Sequence, residues 1–93
     1  MSSEMTIVRR AAVMALKGIR LALAASSIRP ADRRAAEIYL LVTLCGASQP
    51  LAATVCGCTK QNVSKLLREV ENRRDDALLD GELARLEAGM GVM

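Results

Sequence analysis

Histidine, tryptophan and phenylalanine are absent from this chain of 93 residues, and tyrosine occurs once. Without histidine, the commonest general base and a frequent metal ligand are missing. The sequence also lacks a glycine-rich phosphate loop and paired carboxylates in an apolar segment, so we expect neither an enzyme nor a bound cofactor. Because sheets favour aromatic and β-branched residues, a core of Ala, Leu, Ile, Val and Met indicates an all-α fold.

Cysteine is also scarce, at three residues: Cys45, Cys56 and Cys58. An odd number, with two of them separated by one glycine, makes a poor disulfide framework. Zinc would lack a fourth ligand, so no metal site is expected. Cys56 and Cys58 occupy positions that suit small apolar residues, which predicts packed thiols, with a redox-sensing thiol as the alternative. Reduced cysteines favour a cytoplasmic location.

Long apolar runs are missing as well. Arg9 and Arg10 precede an apolar stretch, as in a twin-arginine signal, but Lys17 and Arg20 break it below the ~7 residues of a signal core. No stretch approaches the ~20 apolar residues of a membrane span. We therefore expect neither a signal peptide nor a membrane partner; an amphipathic helix on a membrane surface is the alternative.

The net charge of +3 is distributed unevenly. Residues 1–30 contain five Lys and Arg residues against one Glu, and residues 56–74 contain five against two. Residues 75–93 reverse the balance, with five acidic residues and one Arg. Because Lys and Arg that neutralise phosphates supply most non-specific affinity for DNA, this distribution indicates a basic binding surface beside an acidic tail.

Apolar periodicity predicts one domain, residues 1–93, of about five helices. Their expected ranges are about 3–25, 31–45, 49–56, 60–74 and 75–88. Gly46 should end the second helix. Gly81 weakens the last helix, which could also continue the fourth, and residues 89–93 should fray. The second helix is expected to direct one face into the core: Ala35, Ile38, Tyr39, Leu41, Val42 and Cys45.

The N-terminal amphipathic segment, residues 1–29, has an unusually wide apolar face. Its basic residues, Arg9, Arg10, Lys17 and Arg20, fall within one arc of about 100° on a helical wheel. The remaining arc is apolar, and one side of a small domain does not need so wide a face. This width, in a chain whose own core is small, predicts a homodimer; a more deeply buried helix is the alternative.

The segment 46–74 has the spacing of a helix-turn-helix. Ala53 lies where two helices would cross closely, and Gly57 where the chain leaves the first helix in a left-handed turn. Thr59 is a good N-cap for the second helix, while Val63 and Leu66 point back into the core. An ordinary pair of antiparallel helices joined by a glycine turn is the alternative.

The polar face of the second motif helix favours DNA. No acidic residue precedes Glu69 in this helix, and Gln can pair with adenine while Lys or Arg pair with guanine. Gln49 can donate its amide to a phosphate, Thr59 can bond a phosphate or cap the helix, and Arg73 and Arg74 could reach the flanking backbone. The residues expected to read or clamp the major groove are Lys60, Gln61, Ser64, Lys65 and Arg68.

The run from Gly46 through Pro50 and from Gly57 to Val70, including Gly-x-Thr-Lys-x-x-Val-Ser, resembles the TrfB/KorA-type plasmid repressors. That family consists of all-helical dimeric repressors that bind palindromic operators. The resemblance implies a reading helix that begins at Thr59, with Gln61 and Lys65 facing bases. LuxR-type output domains and the promoter-reading domains of sigma factors are similar.

The sequence therefore predicts an all-α, homodimeric transcriptional regulator that binds double-stranded DNA and acts as a repressor. The main alternative is a protein-interaction module, antitoxin- or adaptor-like, that holds a protein partner through its apolar first helix. Only a DNA-binding protein should lose affinity for its ligand steeply as the salt concentration rises.

Overall fold

The structure, a computed structural model, describes residues 2–91, with side chains described for residues 6–89. Within residues 2–91 the chain is all-helical and contains no strand. A 3₁₀ turn, Arg73–Asp75, precedes the last of the five α-helices in this range. These are α1 (Ser2–Ala24), α2 (Pro30–Thr43), α3 (Gln49–Cys56), α4 (Lys60–Asn72) and α5 (Ala77–Gly91). No helix among the described residues is both long enough and apolar enough to cross a bilayer.

Most predicted helix boundaries lie within two residues of those observed, and the range predicted for α3 is confirmed. The C-terminal segment forms a separate fifth helix, as predicted, and does not continue α4. Asp76 accepts hydrogen bonds from the amides of Leu78 and Leu79 (3.0 and 3.3 Å) and so caps α5. The predicted weakening at Gly81 and the predicted end near residue 88 are wrong. Gly81 does not interrupt α5, and the helix continues to Gly91 rather than fraying from residue 89. Residues 92 and 93 lie outside the described residues.

The link between α3 and α4 is a short left-handed turn, as predicted. Gly57 has φ 70° and ψ 38°, a conformation that costs little only for glycine. The amide of Cys58 bonds the carbonyl of Ala53 at 2.9 Å and that of Gly57 bonds Thr54 at 3.4 Å, which is a Schellman motif. Thr59 then caps α4 by accepting the amide of Asn62 at 3.1 Å.

One apolar cluster joins all five helices. The largest fully buried side chains are Ile19, Leu23, Ile38, Leu40, Leu41, Val63 and Leu83. The predicted core face of α2 is partly wrong: Ala36, Glu37 and Leu40 are also buried, whereas Cys45 is exposed beyond the end of the helix. Because α2 contacts α1, α3 and α4, more of its circumference is enclosed than one amphipathic face.

A buried carboxylate lies among these helices. Glu37, only 6% exposed, accepts two hydrogen bonds from Arg20 of α1 (3.0 and 3.2 Å) and one from Arg34 (2.8 Å). Arg34 also donates to the carbonyl oxygen of Cys56, the last residue of α3. The Glu37 cluster, defined as Glu37, Arg20, Arg34 and this carbonyl, thus connects α1, α2 and α3.

We expect Glu37→Gln to lower the free energy of unfolding by about 1–3 kcal/mol, because two guanidinium groups would lose their charged acceptor. The value lies below that of a fully buried pair because the Arg20 and Arg34 side chains are 51% and 43% exposed. Urea denaturation measures the change. Glu71→Gln, at an exposed site on α4, is the matched control and should change stability little. Equal stabilities for the two variants would contradict the importance of the cluster.

Candidate nucleic-acid interface

The outer face of α4 is basic and polar. Lys60, Gln61, Lys65 and Arg68 are all exposed, while Val63, Leu67 and Val70 on the opposite side are buried. Gln61, Lys65 and Arg68 follow one another at four- and three-residue spacing, so they form a stripe about 10 Å long at 1.5 Å per residue. We call Lys60, Gln61, Lys65 and Arg68 the α4 basic face.

Two of the predicted contact residues bond each other instead of standing free. Ser64 is half-buried and its hydroxyl donates to Oε1 of Gln49 at 2.6 Å. The prediction that Ser64 reads or clamps the groove is therefore weakened, because its proton already joins α4 to the first residue of α3. The bond uses the oxygen of the Gln49 amide and leaves the two Nε2 protons as donors. A phosphate contact from Gln49 stays a prediction.

Arg73 and Arg74, predicted to reach the DNA backbone, are already paired with carboxylates. Arg73 forms two hydrogen bonds to Asp32 (2.7 and 3.3 Å), which fasten the end of α4 to α2. Arg74 donates to Asp80, Glu87 and the Tyr39 hydroxyl, and lies over the Tyr39 ring. Each guanidinium keeps further N–H donors beside these bonds, so a contact of Arg73 or Arg74 with the DNA backbone stays a prediction.

These pairings could not be predicted from the sequence, since most of the partners are distant along the chain. Asp32 lies 41 residues before Arg73, and Tyr39 lies 35 residues before Arg74. Asp80 lies only six residues after Arg74 in the acidic last segment, but composition alone does not indicate which carboxylate bonds which arginine.

Of the thirteen Lys and Arg residues, six form salt bridges within residues 6–89, and seven, among them Arg9, Arg10, Lys17 and Arg33, form none. The six that do are Arg20, Arg29, Arg34, Arg73, Arg74 and Arg85. The other three of the seven, Lys60, Lys65 and Arg68, make no salt bridge with any side chain among residues 6–89. The cations of the α4 basic face are therefore available to an external anion.

One further cation lies beside α3. Arg9 of α1 borders a shallow groove with Ser48, Pro50 and Thr54 at the start of α3, next to Gln49. The sequence predicts Arg9 only as part of the basic arc of α1. No signal in the sequence places it here, since the contact depends on how α1 crosses α3.

The cysteines beside the turn are packed. Cys56 is 7% exposed and belongs to the core, and Cys58 is partly buried against it. Burial raises the pKa of the Cys56 thiol above 9.0, which favours the unreactive protonated form.

Compared with known proteins, the chain matches no family model, no curated protein and no solved structure. The resemblance to TrfB/KorA-type repressors therefore stands on the quoted residues alone.

The Asp32–Arg73 pair should make stability depend on acid pH. The hydrogen bond from Arg73 is the main cause that holds the pKa of Asp32 below its ordinary 3.8. A carboxylate with a lowered folded pKa stabilises the fold above its unfolded pKa, and that contribution disappears as pH falls through the folded pKa. Asp32→Asn should therefore reduce the free energy of unfolding at pH 7 and flatten its decline below about pH 4.

Chemical denaturation between pH 2 and pH 7 tests this, with Asp75→Asn, an exposed site in the 3₁₀ turn, as control. A pH profile for Asp32→Asn that parallels the wild type would show that the pair contributes nothing.

We also expect Cys58 to tolerate an apolar replacement and Cys56 not to tolerate a charged one. Cys58→Val roughly conserves volume and should leave the melting temperature nearly unchanged. Cys56→Asp would bury an unpaired carboxylate and should unfold the domain. Circular dichroism on heating reports both. A folded Cys56→Asp protein, or large reversible unfolding of the wild type by mild peroxide, would contradict the assignment of Cys56 as a packed thiol.

Proposed function

We propose that this chain is a sequence-specific, homodimeric regulator of transcription that reads double-stranded DNA through α4, with α3 and α4 acting as a helix-turn-helix. The observation that carries the proposal is the α4 basic face, where three exposed cations that form no salt bridge within residues 6–89 lie together on one side of a helix. Keeping such a row of cations unneutralised has a physical use when phosphates or base edges are the intended partners.

The geometry of the turn supports the same assignment. Gly57, the Thr59 cap and the Ser64–Gln49 bond hold α4 at one angle to α3. A reading helix has to be held in this way, because its N-terminal residues must enter the groove while the preceding helix lies across the backbone. In this arrangement Gln61, Lys65 and Arg68 face base edges. Lys60, the Gln49 amide and Arg9 lie where they can contact phosphates.

Repression of a palindromic operator is the form of regulation we propose. A dimer would present two α4 helices to half-sites about 34 Å apart, one turn of the duplex. The resemblance to TrfB/KorA-type repressors supports this form. Selection of bound sequences from random duplex DNA tests it directly, because a recovered palindrome with that spacing reports both recognition and symmetry.

A second candidate function is a protein-interaction module. The observation that favours it is the row of exposed apolar side chains on α1, where Ile7, Met14 and Leu21 are 66%, 72% and 74% exposed. Affinity for duplex DNA that does not change with salt, or no recovered sequence, would favour this candidate over DNA reading.

On the selected duplex, Lys65→Ala and Arg68→Ala should each weaken binding about 5- to 150-fold, the equivalent of 1–3 kcal/mol for a lost base contact. Lys60→Ala should weaken binding to all duplexes alike and lower the salt slope by about one, as expected for a phosphate contact. Fluorescence anisotropy at several salt concentrations measures both effects.

Arg85→Ala is the matched control, since it removes one exposed positive charge from α5 and only a surface ion pair. All variants should have the melting temperature of the wild type. Unchanged operator affinity in both Lys65→Ala and Arg68→Ala would overturn the α4 basic face as the reading surface.

A further inference from the structure

The side of α1 that faces away from the core carries an apolar row without a partner. Ile7, Met14 and Leu21 recur every seven residues and are 66%, 72% and 74% exposed. Small exposed residues alternate with them at the same period: Ala11, Gly18 and Ala25, the last of which directly follows α1 and still bonds the carbonyl of Leu21 at 3.2 Å. We call these six residues the α1 seam. Spacings of four and three residues are those of a helix that packs along a second helix.

Gly18 lowers the middle of the seam, so that a second helix can approach closely there. It lies within α1, where glycine costs roughly 0.5–1 kcal/mol relative to alanine. A Cβ atom built on it would meet nothing within 4 Å, as is also true of Gly81 in α5. Close approach of a second helix would use the open space at Gly18.

The seam is complementary to itself in one orientation. When two copies of α1 run antiparallel about an axis near residue 16, Ile7 faces Ala25 of the second copy, Met14 faces Gly18 and Leu21 faces Ala11. Every large side chain then meets a small one, which is how facing layers interdigitate without voids. A parallel pair would place large against large and small against small.

We propose that the α1 seam binds the α1 seam of a second copy of this chain, antiparallel and in this register. This inference deepens the proposed function, because it assigns the dimer contact that a palindromic operator requires, yet it is tested without DNA.

The area available is enough for such a contact. The seam extends about 27 Å at 1.5 Å per residue. With the neighbouring Val8, 48% exposed, it offers on the order of 600 Å² per copy, so that complete coverage of both seams would reach about 1,200 Å², the lower bound for a specific interface. Ile7 and Ala11 also border an apolar groove of about 430 Å³ that Leu41 and Leu51 help to line. Leu21 of the second copy would lie at its mouth.

The positive charge of Lys17 should make the pairing depend on salt concentration. Lys17 flanks the seam, and the antiparallel register brings Lys17 near its own copy across the axis. The two ammonium groups repel each other at low salt and are screened at high salt. The dimer should therefore tighten as salt rises, in the opposite direction to DNA binding. An acidic helix from another protein would show the reverse dependence.

The decisive variant is Gly18→Gln. Its side chain has open space in the single chain and a higher helix propensity, so the fold should persist. In the dimer it would collide with Met14 of the second copy, raising the dimer dissociation constant roughly 10- to 100-fold. Gly81→Gln is the matched control, since a Cβ atom at Gly81 of α5 also meets nothing within 4 Å. Analytical ultracentrifugation without DNA measures association, and circular dichroism confirms folding.

The register is tested in a Cys45→Ser background, which removes the exposed native thiol. Antiparallel pairing predicts that the double variant Ile7→Cys, Ala25→Cys forms disulfide-linked dimers, whereas Ile7→Cys alone does not. Dimers cross-linked through Ile7→Cys alone would indicate parallel helices and overturn the register.

A wild type that is monomeric at tens of micromolar, or a Gly18→Gln protein that dimerises as strongly as wild type, would overturn the proposal. A wild type that dimerises but binds no duplex DNA, or α4 variants that dimerise and keep wild-type operator affinity, would count against the proposed function alone.

Discussion

Three helices of this small domain meet at one buried carboxylate. Glu37 is enclosed on α2, and a carboxylate removed from water must be matched by donors, or its desolvation destabilises the fold by several kcal/mol. Arg20 of α1 and Arg34 supply those donors, and Arg34 also bonds the last carbonyl of α3. The end of α3, and with it the turn into α4, is therefore positioned relative to α1 by electrostatics as well as by apolar packing.

A feature could be predicted from the sequence when it depends on residues that are neighbours along the chain. The bounds of α3, the left-handed Gly57 and the Thr59 cap depend on neighbouring residues, and the predictions for them are confirmed. The buried side of α2 depends on three surrounding helices, so one amphipathic face was too simple a description. The partners of Arg73 and Arg74 could not be predicted, because Asp32 is far away in sequence and because the order of residues does not show which nearby carboxylate Arg74 will bond.

Paired and unpaired charges lie on different parts of the surface. The acidic residues of the C-terminal segment do not form a free negative tail, because Asp80 and Glu87 bind Arg74 and Glu82 binds Arg85. The two Arg74 pairs hold α5 to the 3₁₀ turn that follows α4, while the Glu82–Arg85 pair lies within α5. All three pairs reduce the opposing charge that could reach the α4 basic face. Within the described side chains, Lys60, Lys65 and Arg68 of α4 have no carboxylate partner. The opposite side of the same helix is buried in the core.

The α1 helix connects assembly to recognition in the proposed dimer. Its core side holds Leu16, Ile19 and Leu23, and its seam lies nearly opposite on the helical wheel. Because α1 packs directly on α3 and the Glu37 cluster fixes both, a second copy bound at the seam has little freedom relative to either α4. The distance between the two reading helices is then set by the register of α1 on α1. A shift by one heptad would move each copy about 10 Å along α1 and change the operator spacing that the dimer can match.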